Sequence, residues 1–503
     1  MRKLKLLSTT DIHGTISTYS YIDQSIKPQG LSRYSSAVKH FKLKNACIVV
    51  DNGDCLQGGP LLTYAHRVHA KPNPLALVFN HIGLEYYNLG NHDFNYGESV
   101  LLDYMDDLNA LCLTSNILYK DKPIGQTRIH TTQDNTKIAL IGLCTDYIPN
   151  WEKPEHIKNF TFRDPIQTLK NELLQLEHVD FRIIYYHGGF ERDLVTGLPT
   201  EVLTGENVGY ALSQIPGIDL LITGHQHRSI STTIRSLPVM QCSLNATEFM
   251  SADIDLDTCV IEHTLISMSE YTFDPEIESL IKPYDDETQI WLDQELGHIY
   301  GYDFLVTDPF DARVHKHPYV SFINHVQMEV THATISATAL FNQVLGLGPD
   351  ISYRDLVNNY VYPNSLIVKE MNGKTLKAYL EQCADYFIVK DGKLALNPLF
   401  DEPKPQHFNY DMLDGIDYTL KISNPLQERV IELKYNDKDV LDNDVFTVVM
   451  NNYRASGGGN FHMIPTCKTV LEIQRDMTDI LAEYIQQKKI VTITHHDNIK
   501  VIV

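Results

Sequence analysis

Short hydrophobic runs, each ending at a polar or glycine-rich turn, alternate with helical patterns in the first half of the chain. The runs that predict buried strands are KLKLLSTTD, ACIVVDNGD, KIALIGL, FRIIYYH and DLLITGH. Between them, apolar residues spaced about 3.6 apart predict helices around 31–43, 99–110 and 163–177. This alternation favours a layered α/β core.

The pattern changes after residue 265. Residues 275–297 are acidic and helical in pattern despite Pro283, and they predict a helix that connects two domains. The second half predicts an α+β unit with helices near 319–331 and 373–388 and strands near 417–422, 429–435 and 445–451. We therefore expect one domain over 1–265, a linker helix over 266–298 and a second domain over 299–503.

Composition narrows the class of protein. The 503 residues carry a net charge of −22, which argues against binding to nucleic acid polymers because those need basic surface. No stretch reaches about 18 apolar residues, so no membrane-spanning helix is expected. The eight Cys are scattered without a C-x-x-C pair. The apolar run after the first basic residues is far too short for the core of a signal peptide, so we do not expect it to act as one. We expect a cytoplasmic protein, or a secreted or periplasmic one if a leader was trimmed; the oligomeric state stays open.

Polar side chains fall where the predicted strands end. Asp11, Asp51, Asp54, His187 and His225 lie just past the carboxyl ends of strands, where open α/β sheets bind their ligands. They belong to the blocks TTDIHG, DNGD, GNHDFNYG, YYHGG and GHQH. Each block alone is a weak signal, since Asp often caps a turn and His is often a core residue. Their joint occurrence predicts a shared metal site.

The donor inventory indicates two ions. The candidate ligands offer N and O atoms and no thiolate: Asp11, His13, Asp54, Asn91, His187, His225 and His227. Such a mixture suits Zn, Mn, Fe or Co rather than Ca or Mg alone. These donors are too many for one tetrahedral ion, whereas one bridging carboxylate lets them serve two. Two ions about 3.5–4 Å apart suit in-line displacement at phosphorus, so the pattern indicates a phosphoesterase.

The blocks resemble those of calcineurin-like metallophosphoesterases. Nearly the whole chain is similar to the two-domain 5′-nucleotidases and 2′,3′-cyclic-nucleotide 2′-phosphodiesterases/3′-nucleotidases. The resemblance implies a first metal on Asp11, His13, Asp54 and His227, and a second on Asp54, Asn91, His187 and His225, with Asp54 as the bridge. It also implies that His92 steadies the transition-state phosphate or protonates the leaving oxygen, while a metal-held hydroxide attacks phosphorus.

One departure concerns the partner of His92. In 5′-nucleotidases the catalytic His pairs with an Asp three residues on, as in GNHEFD, whereas GNHDFNYG has Asn95 there. An Asn orients the ring by hydrogen bonding but cannot stabilise an imidazolium by charge. The cyclic-phosphodiesterase branch commonly carries Asn, so Asn95 favours that branch. Asp93 fills the family's usual Glu position and is expected to point the other way if the segment is extended.

The second domain has candidates for binding the nucleobase. Tyr453 stands before the glycines of NNYRASGGG, including Gly457 and Gly458, which indicate close backbone approach or a turn. The resemblance implies that two aromatics clamp the base, and we place them at Tyr453 and Tyr362, with Tyr360 as the alternative to Tyr362. The stretch HATISATALFNQVLGLG lacks the substrate-holding Arg residues of 5′-nucleotidases, which again favours the cyclic branch.

We therefore expect a dimetal nucleotide phosphohydrolase with two divalent ions, Zn or Mn, and a small-molecule nucleotide as its partner. It would open 2′,3′-cyclic nucleotides to 3′-nucleotides and dephosphorylate 3′-nucleotides. The resemblance further implies a hinge near 275–300, because base and phosphate would be held by different domains. The alternatives are a 5′-nucleotidase, a nucleotide-sugar or dinucleotide hydrolase, and a non-catalytic nucleotide-binding protein; only the last would be marked by lost ligands.

Overall fold

The computed structural model describes residues 3–21, 24–200, 203–362, 364–402, 404–473 and 475–503. The chain divides into two compact units, Met1–Gln289 and Ile290–Val503. This division falls inside the helix Pro275–Leu292, which continues through Pro283. The helix predicted from the acidic segment is thus formed, while the domain limits at 265 and 298 stay a prediction.

The first unit is built around two mixed sheets. In spatial order, the first contains Ile261–Ser267, Glu248–Asp255, Lys3–Thr9, Ala46–Asp51, Tyr86–Tyr87 and Leu111–Cys112. The second contains Ile230–Ile234, Leu237–Gln241, Leu220–Thr223, Phe181–His187, Lys137–Cys144 and Arg128–Thr131. All five strands predicted for this half are confirmed. Their central pairings are parallel, so their carboxyl ends lie on the same edge of each sheet.

The core lies between these two sheets. Leu6 and Val50 of the first sheet belong to the same buried cluster as Ile183 and Ile222 of the second. Alternate residues of a strand face opposite sides, so the neighbouring residues Ile184 and Leu221 lie in a second cluster on the outer face. There they pack with Leu169 of the helix Pro165–Gln175. The near-continuous apolar runs in the sequence reflect strands that are buried on both faces.

Helices cover the outer faces of the sheets. The α-helices in the described part of the first unit are Leu31–Lys42, Pro60–Arg67, Pro74–Ile82, Gly97–Asp107, Pro154–Ile157, Pro165–Gln175 and Gly209–Ser213, and Pro275–Leu292 begins in this unit. Asp164 caps one of them by accepting hydrogen bonds from the N–H groups of Ile166 and Gln167. Within the described part of the chain, no helix combines the length and the apolar character needed to cross a membrane.

The second unit is α+β, as its sequence predicts. Its largest sheet contains, in spatial order, Asp411–Asp414, Ile335–Ala339, Val445–Asn451, Leu366–Asn372 and Lys468–Ile473. A second sheet contains Lys438–Asp439, Val430–Tyr435, Asp417–Lys421 and Ile499–Ile502, and a third contains Asp350–Ser352, Glu295–Ile299 and Ile490–Val491. The helices are Pro309–Val314, Pro318–Thr331, Tyr353–Asn359, Gly373–Cys383, Asn452–Ala455 and Met477–Lys488.

One predicted helix of this unit is too long. The pattern over 373–388 predicts a helix through residue 388, but the α-helix ends at Cys383. A 3-10 turn, Ala384–Tyr386, follows it, and Phe387–Lys390 is a strand paired with Lys393–Leu396. Aromatic and β-branched residues at 387–389 favour the strand, and this local preference prevails over the apolar spacing.

Candidate metal centre

The predicted ligands sit on loops that follow the strands of both sheets, and many have an unusual backbone. Asp11, His13, Asp54, His225 and His227 all have positive φ, between 47° and 71°. Non-glycine residues adopt this left-handed region rarely, and such strained positions cluster at functional sites. The local backbone thus turns these side chains toward the carboxyl ends of the strands at a cost in conformational energy.

One donor group consists of Asp11, His13 and His227, whose ligand atoms all lie within 4.8 Å of one another. Nε2 of His13 is 3.1 Å from Nε2 of His227, and the latter is 3.3 Å from Oδ1 of Asp11. Asp11 is buried, and burial alone would raise its pKa. The hydrogen bond from His227 and the charge of His187 nevertheless hold that pKa well below its ordinary value.

A second donor group consists of Asp54, His187 and His225, with Asn91 beside it. Nδ1 of His225 is 2.8 Å from Oδ1 of Asn91. Nε2 of His187 is 3.1 Å from Oδ2 of Asp54, yet these two buried atoms make no hydrogen bond of acceptable geometry with any described residue. Buried polar atoms are normally satisfied, so this pair fits a cation that both atoms would bind.

The two groups adjoin each other. The backbone N–H of His225 lies 3.0 Å from both carboxylate oxygens of Asp11. The backbone N–H of His92 donates to Oδ1 of Asp54 at 2.7 Å. The structure therefore brings together all seven residues that the sequence predicts as ligands. Nitrogen and oxygen donors in two adjoining sets fit two divalent cations.

Two glycines leave room for this arrangement. A Cβ on Gly90 would lie 2.2 Å from Oδ1 of Asp54, and one on Gly224 would lie 2.9 Å from Oδ2 of Asp11. Both distances are far shorter than a van der Waals contact. Glycine is required at these positions because the ligand carboxylates occupy the space that a side chain would need.

Outer contacts orient the imidazole ligands. Nδ1 of His187 lies 2.7 Å from the carbonyl oxygen of Asn52, which only accepts hydrogen bonds, so Nδ1 carries a proton and Nε2 faces Asp54. Nε2 of His225 lies 3.0 Å from Oε1 of Glu206, and Trp151 stacks on the same ring at 5.5 Å. Partners of this kind fix the orientation of a metal-binding ring. The sequence did not reveal Glu206 or Trp151, because both come from loops without a strand-end pattern.

Asp93 holds the backbone beneath the centre. The sequence predicts that it points the other way only if the segment is extended, and that condition is not met because Asn91–Phe94 is a 3-10 turn. Oδ2 of Asp93 accepts hydrogen bonds from the N–H groups of Gly90 and Asp54 at 2.8 and 3.1 Å. Oδ1 accepts from those of Cys55 and Leu56, each at 2.9 Å. Burial, and then the charge of Asp54, raise the pKa of Asp93.

His92 and Asn95 are paired as the sequence suggests. Nδ1 of His92 lies 2.7 Å from Oδ1 of Asn95. The ring of His92 also makes an edge contact with His13, with centroids 5.4 Å apart. His92 therefore lies beside the donor group of Asp11, His13 and His227, where a group that acts on a bound phosphate is needed.

In the second unit, the ring of Tyr453 covers the glycine-rich turn. A Cβ on Gly458 would lie 2.5 Å from atoms of that ring, and Gly457 has a φ of 94°. Tyr453 is half-buried, and it makes an edge contact with Phe408 at 6.0 Å. The glycines are thus required by the approach of the aromatic ring and by the turn itself.

The structure distinguishes Tyr360 from Tyr362, the two alternatives for the second aromatic residue expected to clamp the base. Tyr360 is only 3% exposed, whereas Tyr362 is half-buried. Both rings make edge contacts with Phe341, at 5.0 and 5.5 Å. A buried ring has no face left for a ligand, so the accessible candidate is Tyr362.

A buried ion pair supports the turn below Tyr453. Arg454 is 1% exposed; its Nε donates to Oδ2 of Asp411, and its Nη1 donates to the carbonyl oxygen of Gly458. The hydroxyl of Tyr379 donates to the same carboxylate oxygen at 2.5 Å. The guanidinium therefore links the glycine turn to the largest sheet of the second unit, a role that the sequence did not reveal.

Comparison with known families agrees with this site. Residues 4–229 match the family described as calcineurin-like phosphoesterase, and residues 299–466 match that described as 5′-nucleotidase, C-terminal domain. The first family implies a centre of two divalent metal ions, for which the two donor groups are the candidate ligands. Fold and centre together define a metal-dependent phosphoester hydrolase.

Individual relatives cover almost the whole chain. A solved structure titled putative 5′-nucleotidase from Staphylococcus aureus is 33% identical, with full coverage of both chains and a TM-score of 0.93. The 2′,3′-cyclic-nucleotide 2′-phosphodiesterase/3′-nucleotidase of Haemophilus influenzae is 24% identical over 96% of this chain and 84% of its own length. The Salmonella typhimurium protein of the same name is 26% identical over 90% and 81%. The chain belongs to the family of two-domain 5′-nucleotidases and 2′,3′-cyclic-nucleotide 2′-phosphodiesterases/3′-nucleotidases.

Proposed function

We propose that this enzyme opens 2′,3′-cyclic nucleotides to 3′-nucleotides and then hydrolyses 3′-nucleotides to nucleoside and phosphate. In the first step water adds across the bond between phosphorus and the 2′-oxygen, and in the second across the bond to the 3′-oxygen. The observation that carries hydrolysis at phosphorus is the convergence of seven N and O donors in two adjoining groups. Asn95 in place of Asp, and the names of the Haemophilus and Salmonella relatives, favour the cyclic branch.

We further propose Zn or Mn as the ions, since imidazole and carboxylate donors suit both. Asp11, His13 and His227 would hold one ion, and Asn91, His187 and His225 the other. Asp54 would contribute to both sets. When bound, the ions supply an activated water and neutralise charge on the phosphate.

His92 is proposed to act on the reacting phosphate, either on its transition-state charge or at the leaving oxygen. Its Nδ1 is engaged by Asn95, so Nε2 is the ring atom that exchanges a proton or hydrogen bond with substrate. We propose that Tyr453, with Tyr362 and the backbone at Gly457 and Gly458, binds the nucleobase. A base stacked on an aromatic ring contributes about 1–3 kcal/mol in single-strand binders.

A substrate panel tests the function. The purified protein, supplied with Zn²⁺ or Mn²⁺, is assayed with 2′,3′-cAMP, 3′-AMP and 5′-AMP under the same conditions. We expect the highest kcat/KM for 2′,3′-cAMP and 3′-AMP. A clear preference for 5′-AMP would refute the choice of branch, and no hydrolysis of any nucleotide by metal-loaded protein would refute the nucleotidase proposal.

A 5′-nucleotidase is the second candidate. The observation that favours it is the Staphylococcus aureus structure, which is 33% identical over the full length and is described as a putative 5′-nucleotidase. The same panel separates the two candidates, because the branches differ in the phosphate position that they attack.

Two variants test the proposed residue roles. His92→Ala should lower kcat by about 10²–10⁴-fold, the usual contribution of a proton-transfer residue, while two metal ions remain bound. Tyr453→Ala should raise KM for nucleotides and leave hydrolysis of 4-nitrophenyl phosphate, which has no nucleobase, nearly unchanged. Loss of metal from the first variant would instead show that His92 supports the metal centre.

A further inference from the structure

A buried carboxylate stands behind Asn95. Oε2 of Glu152 accepts a hydrogen bond from Nδ2 of Asn95 at 2.6 Å, and the Glu152 side chain is only 6% exposed. Oε1 of Glu152 accepts from the backbone N–H of Lys153 at 2.8 Å and lies 2.9 Å from Nδ1 of His156. The carboxylate is therefore fixed at both oxygens, and it completes a chain that runs from His92 through Asn95 to Glu152.

This chain has only one hydrogen-bond polarity. A carboxylate accepts and does not donate, so the amide of Asn95 must turn its NH₂ toward Glu152. The carbonyl oxygen of Asn95 must then face His92, which it does at 2.7 Å. An amide oxygen also only accepts, so Nδ1 of His92 must carry the proton. Nε2 is left as the ring atom that exchanges a proton or hydrogen bond.

We propose that Glu152 is a positioning residue for His92 and acts through Asn95. The inference rests on the role given to His92 in the proposed function. In a His–Asp pair the carboxylate accepts directly from the imidazole ring and so fixes its orientation. Here the carboxylate of Glu152 contacts Asn95 instead, and the orientation of the Asn95 amide determines which ring nitrogen of His92 donates. The amide alone leaves the direction of the His92 hydrogen bond open, because either end of Asn95 can face the ring.

Packing around His92, Asn95 and Glu152 holds these residues in place relative to one another. Gly97, with a φ of 79°, leaves the space into which His156 fits, since a Cβ there would lie 3.2 Å from the His156 ring. The ring of Phe94 makes edge contacts with Phe160 and Phe162 at 5.2 and 5.5 Å. The turn that carries His92 and Asn95 is thus packed against the segment that carries Glu152.

The first test is Glu152→Gln, which keeps the shape and adds a donor. The backbone N–H of Lys153 then attracts the Gln oxygen, and the Gln NH₂ faces Asn95, whose amide turns over. We expect kcat to fall by about 10–100-fold, the usual effect of removing an outer partner, with KM changed less than about threefold and two metal ions retained. Glu155→Gln is the matched control, because it removes the same charge from a nearby residue that is exposed.

The second test is rescue. Asn95→Asp alone places two carboxylates against each other and should also lower kcat. In the double variant Asn95→Asp, Glu152→Gln, the new carboxylate accepts from Nδ1 of His92 and from the Gln NH₂, so the required polarity returns. We expect the double variant to recover at least tenfold in kcat over Glu152→Gln.

Three results would overturn the proposal. The first is a wild-type kcat in Glu152→Gln. The second is a loss in Glu152→Gln that the double variant does not recover. The third is a Glu152→Gln protein too unstable to assay whose double variant folds without activity, because it would show that Glu152 only supports the fold.

All variants are assayed with 3′-AMP and with 4-nitrophenyl phosphate. If the wild type hydrolyses only the aryl ester, the nucleotide proposal fails, while the comparison of Glu152→Gln with the double variant still decides the role of Glu152. If both substrates are hydrolysed and only the rescue fails, the proposed function stands and the role of Glu152 does not.

Discussion

The substitution Asp93→Asn tests whether the Asp93 carboxylate stabilises the loops that carry the predicted metal ligands. The carboxylate accepts hydrogen bonds from the backbone N–H groups of Gly90, Asp54, Cys55 and Leu56, two at each oxygen. An amide of the same shape keeps one oxygen and turns an NH₂ toward the other two N–H groups. Two buried backbone donors therefore lose their acceptor.

The expected loss of stability follows from the two backbone donors that lose their acceptor. An unsatisfied buried donor costs about 1–3 kcal/mol, so two cost about 2–6 kcal/mol. One effect opposes this loss: burial and the charge of Asp54 raise the pKa of Asp93, so the native carboxylate is itself held at some cost, which the amide removes. We expect Asp93→Asn to lower the free energy of unfolding of the first unit by about 2–4 kcal/mol.

The assay is urea unfolding followed by tryptophan fluorescence. EDTA is present, so that metal binding does not add to the stability of either protein. Asp106→Asn is the control, because Asp106 is an exposed carboxylate on the neighbouring helix Gly97–Asp107 and should change stability by less than about 0.5 kcal/mol. An Asp93→Asn protein as stable as this control would refute the reasoning that four backbone donors depend on Asp93.

Three further predictions concern the metals, the second unit and pH. Asp54→Asn should lower the bound metal, measured by inductively coupled plasma mass spectrometry, from two ions toward none, whereas His13→Ala should keep one; two ions in Asp54→Asn would refute the bridge. Arg454→Met should lower the free energy of unfolding of the second unit in urea by about 3–5 kcal/mol, because it leaves Asp411 charged and buried. Adding Asp411→Asn should recover part of that loss, and no recovery would contradict the ion-pair argument. Burial lowers the pKa of His66 to about 3 in the folded protein. As pH falls below about 6.5, the unfolded state binds a proton that the folded state does not, so stability is lost. Between pH 7 and pH 4.5 the wild type should lose about 2–3 kcal/mol more than His66→Gln in urea unfolding at each pH, and equal losses would contradict the prediction.

The parallel core was predictable because burial on both faces leaves a strong pattern. Strands such as Phe181–His187 are apolar almost throughout, and such a run ends abruptly where the chain leaves the sheet. Parallel pairing places Asp11 and Asp54 at one edge of the first sheet and His187 at the corresponding edge of the second. The packing of the two sheets through a common core then brings these residues together although they are far apart in sequence. The ligand set therefore follows from local patterns, from parallel pairing within each sheet and from the packing of the two sheets.

Residues that depend on the path of a loop were not predictable. Glu206 and Trp151 contact the predicted ligand His225, and Glu152 contacts Asn95, from segments whose composition is ordinary for a surface loop. The role of Asp93 was missed for a related reason: an extended segment and a 3-10 turn are equally compatible with GNHDFNYG, and they direct the carboxylate to opposite sides. The choice between Tyr360 and Tyr362 likewise depends on which ring the neighbouring chain covers.

Stability and catalysis are expected to depend on two different carboxylates near the turn Asn91–Phe94, Asp93 within it and Glu152 hydrogen-bonded to Asn95 beside it. Many of the ligand residues have positive φ, so the loops that carry them store strain that the surrounding bonds must balance. Asp93 supplies such bonds to the backbone and touches no ligand atom, whereas Glu152 touches neither the ligands nor their backbone and reaches only Asn95 in the chain to His92. Asp93→Asn should therefore lower stability by far more than Glu152→Gln, and Glu152→Gln, measured well below its unfolding temperature, should lower kcat without a comparable loss of stability. If both variants changed stability and kcat in the same proportion, the separation of a supporting carboxylate from a positioning one would be wrong.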